Sequence, residues 1–141
     1  MAEKQRIEYS QLEAGYEFLP SSYKLDSSIV ATYLKAVEDT SGLYQDNTLI
    51  PPMVIAAYAM ASLSETICLP SGTIHVSQEF EFIGAASTRD TFISYARVSR
   101  KQSRGKFHLL IVNFNVVNQN QKTVLAGKTT ISGRERFPVA S

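Results

Sequence analysis

The side chains able to do chemistry gather in one polar stretch, Asp39-Thr40-Ser41-Gly42-Leu43-Tyr44-Gln45-Asp46-Asn47. Small and amide side chains of this kind bond their own backbone and tolerate turns, so the stretch reads as a loop. Asp39 has the type needed for a general base, because burial beside apolar residues raises a carboxylate's pKa toward a useful range. Tyr44 can donate a hydrogen bond or a proton, although a phenol with a reference pKa of about 10 exchanges protons poorly at neutral pH. The plainer alternatives are a turn residue bonding the backbone for Asp39 and a half-buried loop aromatic for Tyr44. Asp46-Asn47 offers a second acid-amide pair near the next helix, but no histidine follows it.

The rest of the reactive inventory is thin. His75 falls on the polar phase of its segment and His108 lies in an apolar one; each is read as packed or solvated unless the fold turns it toward the Asp39 loop. Two histidines and one cysteine cannot build a zinc site without help from carboxylates or another chain, so no metal and no cofactor is expected. Cys68 falls at the C-terminal end of an apolar helix, where the dipole disfavours a thiolate. Arg97, Arg100, Lys101, Arg104 and Lys106 form a basic strip around one turn, which is either a solvated hairpin tip or a contact for phosphates.

Elements must hold these groups. A chain of 141 residues with 44% hydrophobic and 19% charged suits one domain, here residues 1–141, with 1–26 as an N-terminal strand or arm. A formal charge of +1 gives no field to draw the chain onto nucleic acid or an anionic membrane. The N-terminus is too polar for a signal segment, and the uncharged run 47–64 is too short and polar for a membrane span, so the chain reads as soluble and cytoplasmic.

Residues 27–38 follow Asp26-Ser27-Ser28 and place Ile29, Val30, Tyr33, Leu34 and Val37 at helical spacing, predicting a capped helix. Pro51-Pro52 opens a second helix, as proline suits a first turn. Its body, MVIAAYAMASLSETI, is apolar nearly all round and is expected to be buried nearly all round. Beyond Gly72 the pattern turns to period two. Segments 73–82, 91–99, 106–117 and about 122–132 read as four consecutive strands joined by short turns, with Arg100–Gly105 as a basic turn. The 106–117 segment, apolar on both faces, is placed centrally. Gln78 is the one polar residue on the apolar phase of its strand. Consecutive strands make an antiparallel sheet whose apolar face needs the 52–66 helix. The expectation is an α+β hot-dog fold, with an exposed sheet edge that could pair with another chain.

Three runs carry a family likeness: Glu38-Asp39-Thr40-Ser41-Gly42-Leu43-Tyr44-Gln45-Asp46, Leu49-Ile50-Pro51-Pro52-Met53, and Leu69-Pro70-Ser71-Gly72-Thr73-Ile74-His75-Val76-Ser77-Gln78-Glu79-Phe80-Glu81-Phe82. Together they resemble the MaoC-like hydratases and dehydratases over residues 7–132. In that family a loop of the form Asp-x-Asn-Pro-x-His supplies the catalytic pair. Asp39 falls on its Asp, Ser41 on its Asn, Gly42 on its Pro and Tyr44 on its His. The resemblance is nearest to the histidine-lacking halves of double hot-dog dehydratases, or to partner subunits of heterodimeric ones. The link from Asp46 to Pro51 is also shorter than the family's usual segment.

The resemblance implies an acyl-CoA or acyl-ACP thioester as substrate and a (3R)-hydroxyacyl dehydratase or enoyl hydratase activity. It implies a homodimer, or a heterodimer with another hot-dog subunit. Asp39 and Tyr44 are then the catalytic candidates, with Ser41, Pro52, Met53 and Arg104 binding substrate, Arg104 through the carrier's phosphates. A non-catalytic partner subunit that complements a histidine-bearing one is the alternative, and a hot-dog thioesterase the weaker one.

Overall fold

The computed structural model describes residues 6–44 and 48–134. In chain order the elements are β1 (Ile7–Glu8), β2 (Ser21–Tyr23), α1 (Ser27–Ala36), α2 (Pro52–Thr66), β3 (Ile67–Cys68), β4 (Thr73–Phe82), β5 (Phe92–Arg104), β6 (Phe107–Val117) and β7 (Thr123–Arg134). Among the described residues the main sheet has five strands in the order β2-β5-β6-β7-β4, all antiparallel. β1 and β3 form a separate parallel pair.

β6 takes the central place that its two apolar faces demanded. Leu110, Val112, Phe114 and Val116 alternate toward α2 and are buried. The order of the other strands departs from four consecutive hairpins. β5, β6 and β7 are sequential neighbours, but β4 crosses to the far edge and pairs with β7. Residues between β4 and β5 make this crossing, tied by Ile83 N–H to Val124 O at 3.0 Å and by Ile50 N–H to Ala86 O at 2.8 Å. β5 also continues through Arg104, so the basic residues lie within the hairpin's strands and the turn shrinks to Gly105 and Lys106.

α1 starts where the capping residues placed it. The Asp26 carboxylate accepts the Ile29 N–H at 3.0 Å and the Ser28 hydroxyl at 2.6 Å, satisfying a donor the helix leaves open. α2 is buried on one side alone. Val54, Ile55, Ala56 and Ala59 pack on Phe92, Phe114, Val116, Val124 and Leu125, whereas Met53 and Tyr58 are exposed by 44% and 39% and Ala57 and Ala61 are also exposed. The expected all-round burial fails because one sheet covers one helix face.

Two bulges reset the side-chain phase. One extra residue on a strand inverts the alternation of the residues on one side of it relative to those on the other. Val76 is the extra residue in β4, so His75 faces Ile131 on the α2 side and Ile74 turns outward. Ser99 is the extra residue in β5, and Lys101 therefore turns inward, giving its Nζ to Tyr9 O at 3.0 Å and Leu12 O at 2.7 Å. Lys101 thus leaves the basic strip and ties the N-terminal arm to the sheet. No helix among the described residues is long and apolar enough to cross a membrane.

Candidate functional site

The Asp39 loop is set by how α1 ends. Glu38 takes a left-handed backbone with φ 57°, and Asp39 N–H reaches back to Leu34 O at 2.9 Å, closing the helix as a glycine would. Asp39 is half-buried, and its Oδ1 accepts the Ser41 N–H at 2.8 Å. Ser41 Oγ accepts the Leu43 N–H at 3.2 Å, and Ser41 O the Tyr44 N–H at 3.4 Å. These bonds shape a short 3₁₀ turn, Gly42–Tyr44. Asp39 therefore serves the turn with one oxygen, as its plainer reading required, and Ser41 is occupied in the same turn.

Tyr44 is the wall between two concavities. On one side it shares an open depression of about 460 Å³ with Asp39, Leu34 and Lys35. On the other it lines an apolar cleft of about 240 Å³ with Ile50, Pro52, Ile55, Phe82 and Leu125. Tyr44 thus adjoins Pro52 in the cleft and Asp39 in the depression, while Asp39 itself lines only the depression beside α1.

The prolines limit what that turn can donate. Pro51 is the cap and Pro52 the first helical residue, and neither has an N–H. Val54 N–H returns to Pro51 O at 2.9 Å. That leaves the Met53 N–H as the first-turn donor able to hold a ligand oxygen, at the positive end of the helix dipole.

Other candidates lie elsewhere. In the ladder Arg104 is opposite Phe107, while the cleft residue Leu125 is opposite Val116. At about 3.3 Å per residue this sets Arg104 roughly 30 Å from the cleft of its own chain. His108 is at the same remote end, with Nδ1 3.1 Å from Ser103 Oγ and its ring edge-on to Tyr9. Cys68 is half-buried in β3. Asp46-Asn47 lies outside the described residues. Among the described residues no three His, Cys, Asp or Glu side chains gather as metal ligands. A concavity of about 930 Å³ is lined by Glu17, Arg97, Asn113, Lys128 and Glu79 together with Phe18, Phe80 and Phe114, away from the Asp39 loop. The cleft residues Ile50, Ile55, Phe82 and Leu125 escaped sequence reasoning, since an apolar side chain reads as core wherever it points.

No family model matches the chain, and no curated protein matches it. Solved structures do. The unliganded R-hydratase PhaJ1 from Pseudomonas aeruginosa superposes with a TM-score of 0.77 at 19% identity, covering 98% of this chain and 94% of that one. A MaoC-like dehydratase from Rhodospirillum rubrum gives 0.70 at 14% identity, covering 93% and 98%. The C-terminally truncated HadBC (3R-hydroxyacyl-ACP dehydratase) complex from Mycobacterium tuberculosis gives 0.63 at 15% identity, covering 85% and 96%. At these identities the likeness is one of fold: the chain is an α+β hot-dog protein built like the MaoC-like hydratases and dehydratases.

Proposed function

We propose that this hot-dog protein binds an acyl thioester, carried by coenzyme A or an acyl carrier protein, and adds water across its α,β double bond or removes it from the (3R)-hydroxy product. The observation that carries this reading is the apolar cleft at the first turn of α2, walled by Tyr44, whose other side shares a depression with Asp39. The cleft takes the acyl chain, and the Met53 N–H takes the thioester oxygen, where negative charge develops as Cβ is attacked. Asp39 accepts a proton from water as the hydroxyl oxygen bonds to Cβ. A second proton-exchanging group delivers a proton to Cα, so that one water is added in full. The Tyr44 hydroxyl donates a hydrogen bond at the same place.

A second reading is favoured by Tyr44 itself, which by the motif resemblance falls at the position where a hydratase of this type carries histidine. On that reading the chain is a subunit that holds the acyl chain and complements a histidine-bearing hot-dog partner. The HadBC neighbour, a 3R-hydroxyacyl-ACP dehydratase complex by its name, supports it.

The test is the loss of enoyl absorbance from crotonyl-CoA with pure protein. Turnover that falls at least about 100-fold in Asp39→Asn supports the first reading. Asparagine keeps an oxygen for the Ser41 N–H, so the loop holds while the base is lost. Turnover that arises only on mixing with a histidine-bearing hot-dog protein supports the second. Thioester hydrolysis in place of hydration overturns both.

A further inference from the structure

The N-terminal arm starts against one end of α2 and joins the sheet elsewhere, and a cavity lies between. β1 pairs in parallel with β3, which directly follows α2. From there the arm turns through Tyr9–Gln11, buries Leu12 completely and runs beside β5. Val98 N–H gives to Tyr16 O at 2.9 Å and Phe18 N–H to Ala96 O at 3.0 Å. The cavity, about 510 Å³, is lined by Ser62 and Thr66 of α2 and otherwise by the arm and Ser21. Its size falls in the range of about 300 to 1,000 Å³ usual for small-molecule sites. We propose that it is a second binding site, separate from the thioester cleft, for a small carboxylate with an apolar or aromatic body, held by Arg6.

Charge and polarity choose the ligand. Arg6 is the one charged residue in the described lining, and no acidic side chain there neutralises it. Its Nη2 gives to Ile67 O at 3.1 Å, which orients the planar guanidinium and leaves Nη1 and Nε with unused donors. Such a fork matches the two oxygens of a carboxylate. Thr66 Oγ1 gives to Ser62 O at 2.8 Å, and Gln11 Oε1 accepts the Glu8 N–H at 3.1 Å. The Ser62 hydroxyl and the Gln11 amide nitrogen remain as donors for a second polar group. Ile7, Phe18 and Leu19 supply apolar wall, with the Phe18 ring edge-on to Tyr16 at 5.0 Å between centroids. Phe18 is buried, whereas Leu19 is exposed by 87%, more than any other large apolar side chain described. An aromatic or branched body laid against these walls removes that surface from water.

The site is independent of the chemistry proposed at Tyr44. At about 1.5 Å per residue, Thr66 is roughly 21 Å along α2 from Pro52, so the two sites sit at opposite ends of one helix. No residue of the Tyr44 cleft lines the second cavity. The inference therefore goes beyond the hydratase reading and does not need it. The arm that forms one wall is also held by Lys101 through Tyr9 O and Leu12 O. A ligand bridging Arg6 and α2 adds a second tie between arm and core, so its binding stabilises the folded protein.

The probe is 2-naphthoate, an aryl carboxylate whose fluorescence is read without tryptophan background because the chain has none. Saturable binding is expected, with 2-naphthalenemethanol, which has the same rings and no charge, at least about tenfold weaker. Arg6→Gln keeps an N–H donor for Ile67 O but removes the charge, and is expected to weaken naphthoate by at least about tenfold as well. Ser62→Leu leaves Arg6 in place and fills the cavity from α2, so binding is expected to be lost. Excess crotonyl-CoA is expected to leave the probe bound. Absence of saturable binding overturns the site, and so does equal binding of the acid and the alcohol. Wild-type affinity in either Arg6→Gln or Ser62→Leu overturns it too. Displacement by crotonyl-CoA would place the probe in the Tyr44 cleft and equally defeat the second site, whatever the protein's hydratase activity.

Discussion

Phe114 and Gly127 are opposite partners in the β6-β7 ladder, and the phenyl ring lies directly against the glycine's Cα. A Cβ at Gly127 would run into the ring's Cζ, with Cε1 and Cε2 both at 2.8 Å. The ring also meets Phe80 edge-on, with centroids 6.1 Å apart. The missing side chain thus lets an aromatic lie across the inner face between β7 and β4. Gly127→Ala is expected to lose about 1 to 3 kcal/mol by forcing Phe114 out of its rotamer, read as a lower urea midpoint. Unchanged stability would show that the ring has room to move.

Glu38 adopts the left-handed conformation at the end of α1, φ 57°, where an L side chain carries strain and glycine does not. Glu38→Gly should stabilise the protein by about 0.5 to 1 kcal/mol even though glycine loosens the unfolded chain. Thermal unfolding checks it. A lower midpoint would mean that the Glu38 side chain makes a contribution larger than the strain.

Lys101 fastens the N-terminal arm. Its Nζ serves two arm carbonyls and lies 4.6 Å above the Tyr9 ring. Lys101→Met keeps the aliphatic stem but strands both carbonyl oxygens, at an expected loss of about 1 to 3 kcal/mol. Arg100→Met, one residue away on the opposite face, is expected to stay within about 0.5 kcal/mol. Equal losses in the two variants would remove the arm from the explanation.

Burial holds the Tyr23 hydroxyl above the ordinary tyrosine range, opposed in part by its 2.7 Å hydrogen bond with Ser94. The folded state therefore favours the neutral phenol. Its contribution is complete below the unfolded tyrosine pKa and is lost as pH rises through the higher folded value. Burial raises Tyr9 as well, so tyrosinate absorbance is expected to lose one of its late-titrating groups, and not all of them, in Tyr23→Phe. Stability of that variant should depend less on alkaline pH than the wild type's. An unaltered titration would remove Tyr23 from the alkaline response.

Much of the fold was legible because period and punctuation are local. Asp26 before an apolar helical repeat, Pro51-Pro52 before an uncharged run, and alternation after Gly72 each place an element without knowledge of its neighbours. Asp39 and Tyr44 were legible as a loop pair for the same reason, and they do share one depression. Arg104 was drawn toward the site by its charge alone, and the ladder sets it at the other end of the sheet.

The sequence by itself determined where the two helices and the four long strands lie, that β6 is central, and that one apolar helix must cover one sheet. Only the tertiary structure decided that β4 crosses to the free edge beside β7, that Val76 and Ser99 invert the phase of His75 and Lys101, and that α2 keeps an uncovered face. The physical reason is that a period of two counts faces and not neighbours. Strand order and bulges depend on which distant backbone supplies the hydrogen bonds, and a single extra residue reverses the faces on one side of it relative to the other.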